Sequence, residues 1–361
     1  MDSLVRNALG HEKKAADNPN RLSDGPKIVV VGVGGGGNNT VNRMARMGIQ
    51  GADLYALNTD KQHLTLMHDN IKKMILGQSV TRGLGAGGFP EVGAKAAEVS
   101  RAAIAQMLEG SDMVFLTAGM GGGTGTGAAP IVADIAKENG AIVIGMVTYP
   151  FRMERARLLK ADAGIEKLRK VADTVVIIDN NRLVELVPNL PIEQAFSVAD
   201  EVISRAVKGI TETITTPSLI NLDYADVRAI MTSGGVAVIS VGEARSHSKV
   251  EEVVDDTLKN SLLDIDYAGA KGALIHITGG PDLTLGECNK IGEMLTEAID
   301  PQATVIWGAR IIPEYEGRVE VITIMTGVKS AHIKGPMAEA LQAGSKASRD
   351  LDESLGIAYL R

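Results

Sequence analysis

Gly121-Gly-Gly-Thr-Gly-Thr-Gly127 is the stretch of this 361-residue sequence that decides the fold. It follows an apolar run over residues 112–118 and precedes a helical pattern over residues 128–136. A strand that leads through a loop with almost no side chains into a helix presents free backbone N–H groups and the positive end of the helix dipole. The glycines also let the backbone approach an anion closely. We therefore interpret the segment as a phosphate-binding loop and not as a tight turn with tolerated glycines.

Composition narrows the class of protein. Hydrophobic residues make up 45% and charged residues 22% of the chain, which is typical of a soluble protein with about two domains. The net charge of −7, without a dense Lys/Arg block, argues against nucleic-acid binding. Cys288 is the single cysteine, so we expect no internal disulfide, no Cys-based metal site and a reducing, cytoplasmic environment. No apolar signal core or run of about 18 apolar residues occurs, which predicts no direct membrane insertion.

Strand and helix patterns alternate from residue 27 onward. Helical patterns such as Val92–Leu108 and Glu154–Val171 separate short apolar runs that read as buried strands. This alternation predicts an α/β fold with a doubly wound, mostly parallel sheet, whose ligands bind beyond the carboxyl ends of the strands. The predicted strands are Ile28–Val33, Leu54–Leu57, Met113–Ala118, Ile142–Val147 and Thr174–Ile178.

The chain divides into five predicted parts. Residues 1–26 form an N-terminal arm, and residues 27–191 form the domain that carries the glycine loops. An apolar stripe over 192–217 predicts a long spine helix, which Pro191 starts and Pro217 stops. Residues 218–329 predict a smaller α/β domain, and 330–361 a flexible tail with a short apolar ending. In the smaller domain we expect strands at Val236–Val241, Ala273–Ile277, Val305–Ala309 and Val319–Met325, and helices at Lys249–Asn260 and Leu285–Ala298.

Two further glycine-rich segments follow other predicted strands. Gly32-Val-Gly-Gly-Gly-Gly-Asn-Asn39 contains a G-x-G-x-x-G pattern, and Asp60 lies where a dinucleotide-binding enzyme holds ribose. A nicotinamide-dependent oxidoreductase is therefore one alternative, although such a domain does not need a second glycine loop. Thr81–Gly88 adds more backbone donors and Arg82, and no G-x-x-x-x-G-K-[ST] motif occurs. Loops at adjacent strand ends favour one nucleotide with several phosphates, held from two sides.

Asp223 and Asp226 form a pair of carboxylates at an expected helix start. Their spacing is typical of an N-cap with acids that favour the helix dipole, but such carboxylates could also orient or deprotonate a water. They follow the spine helix, so we expect them at the opposite pole from the glycine loops. They could then meet a nucleotide only when a second subunit stacks head to tail, a contact that produces filaments.

Together these motifs resemble the FtsZ family of tubulin-like cell-division GTPases. The family signature G-G-G-T-G-[ST]-G stands at Gly121–Gly127, and the first glycine loop, Asn58-Thr-Asp60, Thr81–Gly87 and N-x-D-x-x-D at Asn221–Asp226 match in order. The similarity covers about residues 27–329, and the arm is more like that of archaeal members. The resemblance implies GTP or GDP with Mg²⁺, and a tubulin-like fold with a long central helix.

The resemblance also implies roles for individual residues. Thr124 with its glycine neighbours would hold the β- and γ-phosphates, Glu154 and Arg157 the ribose and phosphates, and Phe196 would pack on guanine. Asp223 and Asp226, with Asn221, would act on the nucleotide of the neighbouring subunit. The implied nucleotide-binding residues are Gly35, Gly36, Gly37, Asn38, Asn39, Asn58, Asp60, Gly85, Ala86, Gly87, Gly122, Gly123, Thr124, Gly125, Thr126, Glu154, Arg157, Asn180, Phe196 and Asp200.

The sequence departs from the family pattern at three places. The segment from Glu154 to Arg157 is one residue shorter than usual, so Arg155 competes with Arg157 as the phosphate contact. Asp179 replaces the proline common before Asn180, and the apolar ending resembles a partner-binding peptide only in outline. Phe196 also fits an ordinary core position, and Glu154 with Arg157 fits a solvated helix face.

We therefore expect a GTPase that polymerises head to tail and forms the division ring. The expected partners are further copies of the chain and, through residues 354–361, membrane-tethering or division-regulating proteins. The expected location is the cytoplasm, with assembly at the division site. The alternatives are a tubulin-like cell-shape filament and the oxidoreductase.

Overall fold

The computed structural model describes residues 25–215, 223–232, 236–245, 248–259, 270–297 and 299–328. Within these ranges the strands are β1 (Ile28–Val33), β2 (Ala52–Asn58), β3 (Lys72–Ile75), β4 (Met113–Gly119), β5 (Ile142–Tyr149), β6 (Thr174–Asp179), β7 (Val236–Ala244), β8 (Gly272–Gly279), β9 (Thr304–Ile311) and β10 (Val319–Thr326). The helices are α1 (Gly34–Met47), α2 (Lys61–Thr65), α3 (Gln78–Thr81), α4 (Pro90–Val99), α5 (Arg101–Met107), α6 (Thr124–Glu138), α7 (Ala156–Arg169), α8 (Asn180–Leu186), α9 (Ile192–Thr215), α10 (Tyr224–Thr232), α11 (Lys249–Lys259) and α12 (Leu285–Thr296). Short 3₁₀ turns cover Arg152–Glu154 and Pro313–Tyr315.

The described strands form one mixed sheet in the order β3-β2-β1-β4-β5-β6-β7-β10-β8-β9. The pairs from β3 to β7 are all parallel, β10 is antiparallel to both of its neighbours, and β8 is parallel to β9. The prediction of a doubly wound, mostly parallel sheet is therefore confirmed. Because the strand order reverses at β1 and β4, a crevice opens beyond their carboxyl ends, where ligands of such sheets bind.

Side chains alternate across β1 into two separate cores. Val29, Val31 and Val33 join the apolar cluster that contains the buried residues of α6, and Ile28 and Val30 join the cluster beneath α1 and α9. A strand buried on both faces is a continuous apolar run, which is why the sequence of β1 shows no polar alternation. The sheet thus lies between two layers of helices. The carboxyl ends of its parallel strands lie at the edge between these layers, where the site is found.

The second half of the chain continues the same sheet. β6 and β7 pair through Val175 with Val236 and Val176 with Ala237, and α9 packs against β7 and β8 on the far side of this junction. A separate apolar cluster lies under α11 and α12. The predicted domain boundaries at 191 and 217 remain a prediction. Residues 1–24 of the predicted arm and the whole predicted tail, 330–361, lie outside the described residues.

Three predicted elements differ from the structure. The glycine segment from Gly34, predicted as a loop, forms the first turn of α1. The predicted helix Val92–Leu108 divides into α4 and α5 at Ser100, whose Oγ accepts a hydrogen bond from the backbone N–H of Gly77 at 2.9 Å. The predicted helix from Glu154 begins only at Ala156, because Glu154 belongs to the preceding 3₁₀ turn.

Candidate functional site

Two helix N-termini meet above the crevice between β1 and β4. α1 begins directly after β1, and α6 begins at Thr124 after the short segment that follows β4. The backbones approach so closely that a Cβ added to Gly34 would lie 2.7 Å from the backbone N of Gly125, and one on Gly36 would lie 3.2 Å from Cα of Gly119. Gly34 also has a left-handed φ of 74°. The first-turn N–H groups of both helices therefore open onto one small region that suits an anion.

The third glycine loop closes one side of this region. A Cβ on Gly123 would lie 2.8 Å from Cβ of Ala86 and 3.0 Å from the backbone N of Phe89. From α7, the Lys160 ammonium donates to the Gly88 carbonyl at 2.7 Å and lies 5.7 Å from the centre of the Phe89 ring. The predicted contact segment at 85–87 thus lies against the signature loop. Gly85 and Gly87 have φ angles of 86° and 60°.

Three predicted ligand residues direct their side chains into the protein. The Asn38 side chain is fully buried. Its amide nitrogen donates to the Gly32 carbonyl at 2.8 Å, and its amide oxygen accepts from Nδ2 of Asn58 at 3.1 Å, with the two amide atoms assigned from these hydrogen bonds. Thr126 Oγ1 accepts from the backbone N of Gly121 at 2.9 Å. These side chains therefore hold the loops in shape from within through hydrogen bonds to other parts of the chain.

Thr59 and Asp60, which follow β2, contact the start of α6 and the start of α2. Asp60 caps α2, since its Oδ1 accepts from the backbone N of Gln62 at 2.9 Å and of His63 at 3.3 Å. The Thr59 and Thr124 hydroxyls are 2.6 Å apart. In place of the ribose contact that an oxidoreductase would make, Asp60 therefore orients a short helix beside the glycine loops.

A cleft of about 510 Å³ continues from the glycine loops toward α9. Asn39, Asn180, Phe196 and Asp200 all line it. Phe196 is 41% exposed, and its ring centre lies 5.7 Å from that of Phe151 in a tilted arrangement, so the alternative that Phe196 is a core residue is wrong. The side-chain oxygen of Asn180 is buried without a hydrogen-bond partner. The cleft therefore offers an exposed aromatic face and polar groups that await a ligand.

Asp200 is the acidic group of this cleft. Burial raises the pKa of its carboxyl to about 6 from 3.8, against the opposing effects of the Thr40 hydrogen bond and the Arg43 charge. The Thr40 hydroxyl donates to Asp200 Oδ1 at 2.5 Å. A buried carboxylate needs such a partner, and a ligand with N–H donors would supply further ones.

Arg43 is a cleft residue that the sequence reasoning missed. It lines the cleft together with Asn39, Asn42 and Arg46, a polar stripe at helical spacing on α1 that could have revealed it. The guanidinium of Arg43 pairs with Glu201 of α9 at 2.7 Å. Glu201 also pairs with Arg205 at 2.9 Å, and Arg205 reaches Glu320 of β10 at 3.1 Å, so a chain of charges links the cleft to the second half of the sheet.

Glu154 and Arg157 form an ion pair of 2.6 Å near the signature loop. Glu154 also accepts from the backbone N of Phe151 at 3.0 Å, and a Cβ on Gly121 would lie 2.9 Å from Cβ of Arg157. The Arg157 side chain is 61% exposed, so the pair itself contributes little stability. Arg157 is the arginine of the two candidates that lies against the loop; Arg155 lies at the start of α7, with its side chain exposed.

Asp223 and Asp226 lie at the other end of the sheet. Asp226 N donates to Asp223 Oδ1 at 2.7 Å, and Asp223 N donates to Asp226 Oδ2 at 3.3 Å, so the N-cap interpretation is confirmed. The hydroxyl of the neighbouring Tyr224 donates to the carbonyl of Asp112 at 2.9 Å, directly before β4 begins. The signature loop follows the other end of β4, about 20 Å away at 3.3 Å per residue. Asn221 lies outside the described residues.

The described residues contain neither a cluster of metal-binding side chains nor a membrane-spanning helix. No group of three or more His, Cys, Asp or Glu side chains there is placed to hold a metal ion. No helix in the same ranges has both the length and the apolar character needed to cross a bilayer.

Comparisons with known proteins agree with this geometry. Residues 27–188 match the GTPase domain of the Tubulin/FtsZ family, and residues 235–329 match the C-terminal domain of the FtsZ family. The chain is 58% identical to cell division protein FtsZ 2 of Methanocaldococcus jannaschii, over 96% of this chain and 92% of the relative, and 53% identical to FtsZ 2 of Haloferax volcanii, over 98% and 90%.

Solved structures give the same result. An empty FtsZ dimer of M. jannaschii is similar with a TM-score of 0.79 and 44% identity, over 91% of this chain and 96% of that one. A GTPγS-bound protofilament of CetZ2 from H. volcanii has a TM-score of 0.74 at 23% identity, over 89% of this chain and 99% of that one, which shows a shared fold. The chain therefore belongs to the FtsZ family of tubulin-like GTPases that act in cell division.

Proposed function

We propose that GTP lies across the carboxyl edge of the sheet, with guanine in the α9 cleft and the phosphates against the N-termini of α1 and α6. Guanine presents adjacent N–H donors, which suit the Asp200 carboxylate and the unpartnered oxygen of Asn180. The exposed ring of Phe196 offers a stacking surface for the base. The free N–H groups beside Gly35 and Thr124 supply fixed donors for the phosphates.

The site also fits Mg²⁺ bound through the nucleotide. Mg²⁺ keeps several waters and binds through phosphate oxygens, so it does not need a cage of protein carboxylates. The described residues offer none, while the Thr59 and Thr124 hydroxyls lie beside the phosphate region. When bound, the ion neutralises charge on the β- and γ-phosphates.

Hydrolysis takes place at the junction between two subunits. The observation that carries this proposal is that Asp223 and Asp226 lie beside the start of β4, whereas the signature loop follows its end. Over about 20 Å these carboxylates cannot reach the nucleotide of their own chain. They reach a nucleotide when the next subunit stacks head to tail, and this heterologous contact extends into a filament.

The acids of one subunit and the signature loop of the next have separate roles in hydrolysis. Asp223 or Asp226 orients a water and accepts its proton, the water oxygen attacks the γ-phosphorus, and the bond to the bridging oxygen of GDP breaks. The backbone N–H groups at the start of α6 stabilise the charge that develops on the phosphates. The products are GDP and inorganic phosphate.

A mixing experiment tests the junction. One variant, Asp223→Asn with Asp226→Asn, keeps its nucleotide site and loses the acids. The other, Gly122→Asp, places a charge among the phosphates at a position where an added Cβ meets no atom within 4 Å. Gly122→Ala is the matched control for the added Cβ, because it fills the same open space without a charge and should bind GTP more tightly than Gly122→Asp.

The acid-deficient variant and Gly122→Asp should each be inactive alone. An equal mixture of these two should recover up to about a quarter of wild-type turnover, which is the share of randomly formed junctions with both halves intact. No recovery, while the acid-deficient variant still binds GTP and assembles, would mean that the site is completed within one chain.

Filament formation for division fits these observations better than a cell-shape role. The FtsZ structure of M. jannaschii matches at 44% identity, against 23% for the CetZ2 protofilament. We further propose that residues 354–361, outside the described ranges, bind membrane-tethering or regulating proteins at the division site. Deletion of 354–361 should then leave GTP turnover unchanged and disperse a fluorescent fusion from mid-cell; a fusion that still localises contradicts this role.

A further inference from the structure

His63 faces the region assigned to the phosphates. Its Nε2 lies 3.9 Å from the position that a Cβ on Gly35 would occupy. In the described part of the chain, no other atom from outside α1 and the adjoining residues lies within 4 Å of that position. The space above the first turn of α1 is therefore open except for the edge of this imidazole.

The environment of the ring fixes which nitrogen carries a proton. His63 Nδ1 is buried and has no hydrogen-bond partner. A buried N–H without an acceptor is rarer in proteins than a buried lone pair without a donor, which favours the tautomer with its hydrogen on Nε2. The Asp60 carboxylate accepts a hydrogen bond from the backbone N–H of His63 in the α2 cap. This contact fixes the backbone from which the imidazole and its Nε2–H extend toward Gly35.

The strand order tells which part of the nucleotide His63 meets. The base cleft lies beyond β5 and β6, next to Thr148 and Asn180, whereas His63 follows β2 on the other side of β1. A nucleotide that starts in the cleft passes the first turn of α1 before it reaches α2. The end that arrives at His63 is the chain of distal phosphates, near the paired hydroxyls of Thr59 and Thr124.

We propose that His63 donates a hydrogen bond from Nε2 to the terminal phosphate of GTP and so makes the site prefer GTP over GDP. The inference rests on the nucleotide position given under the proposed function. A hydrogen bond to a charged group changes affinity by about tenfold or more, and GDP lacks the acceptor that this geometry serves.

The test compares three variants by equilibrium binding of GTPγS and GDP, below the concentration at which the protein assembles. His63→Leu should weaken GTPγS binding about tenfold and GDP binding less than about threefold. His63→Gln, which retains a side-chain N–H donor, should restore most of the GTPγS affinity. Gln62→Leu changes an exposed neighbour on the same helix and should leave both affinities unchanged.

The outcomes separate this inference from the proposed function. Equal losses for both nucleotides in His63→Leu, or no loss, overturn the role of His63 while the nucleotide site stands. Failure of the wild-type protein to bind GTPγS overturns the proposed function itself. A selective loss of GTPγS affinity in His63→Leu, at an unfolding temperature of the nucleotide-free variant equal to that of wild type, supports the inference.

Discussion

Gly37→Ala tests whether the contact between α1 and β4 allows any side chain at this position. A Cβ there would lie 2.1 Å from the carbonyl oxygen of Thr117 and 2.8 Å from its carbon. Thr117 belongs to β4, paired on both sides in the middle of the sheet, so its carbonyl cannot turn away. α1 must withdraw by about 1 Å, which loosens Val41 and Met44 over the core; overpacking on this scale costs about 3 kcal/mol.

Thermal unfolding of the nucleotide-free protein, followed by circular dichroism, measures this cost. In a domain of about 150–250 residues, each kcal/mol of lost stability lowers the Tm by about 2–4 °C. A loss of about 3 kcal/mol in Gly37→Ala should therefore lower the apparent Tm by about 6–12 °C. Gly35→Ala is the matched control on the same turn, because its Cβ would meet only His63 Nε2 at 3.9 Å. Its Tm should stay within about 1 °C, since most surface changes are nearly neutral. An unchanged Tm for Gly37→Ala, or equal losses in both variants, would refute the reasoning.

Three further predictions concern the two poles of the sheet. Asp223→Asn retains an acceptor for the α10 cap, so the unfolding free energy should change by less than about 0.5 kcal/mol while GTP turnover falls at least about 100-fold; Asp223→Ala should cost about 1 kcal/mol more. Wild-type turnover in Asp223→Asn would contradict the assigned role. The folded pKa of Asp200, about 6, is above 3.8, so its contribution to stability is full below about pH 4 and is lost as the pH rises through 6. The unfolding free energies of wild type and Asp200→Asn can be measured with urea at pH 4 and pH 7. The value for wild type minus the value for Asp200→Asn should be lower at pH 7 than at pH 4, and a higher difference at pH 7 would contradict the raised pKa of Asp200. Phe196→Ala should weaken GTP binding about tenfold in a titration, by loss of stacking, with little change in Tm; unaltered affinity would remove Phe196 from the site.

Much of the fold follows from local patterns. The five central strands are long apolar runs between turn residues, and the glycine segments mark where the chain must pass close to other backbone. The edge strand β3 escaped prediction because it has four residues, of which Lys72 and Lys73 are charged and exposed. The helical start of α1 was missed because glycine disfavours helix, and here close packing against β4 overrides that preference.

The sequence predicted which residues lie at the site but not the directions in which their side chains point. Sequence spacing and resemblance placed Asn38 and Thr126 at the loops, but only the folded contacts show that their side chains turn inward. His63 was not singled out because one histidine in a polar segment has no periodic signal. Its place beside Gly35 depends on how the ends of β2 and β1 meet in three dimensions.

The placement of the glycine loops and the acids at opposite ends of β4 determines how many active centres a row of molecules contains. If every active centre needs one end from each of two molecules, an isolated molecule has none, and a row of molecules has one fewer centre than it has members. Turnover per molecule then rises with the length of the row and levels off. The two tips of the row also differ chemically, because one displays a nucleotide that nothing can cleave and the other displays unused carboxylates.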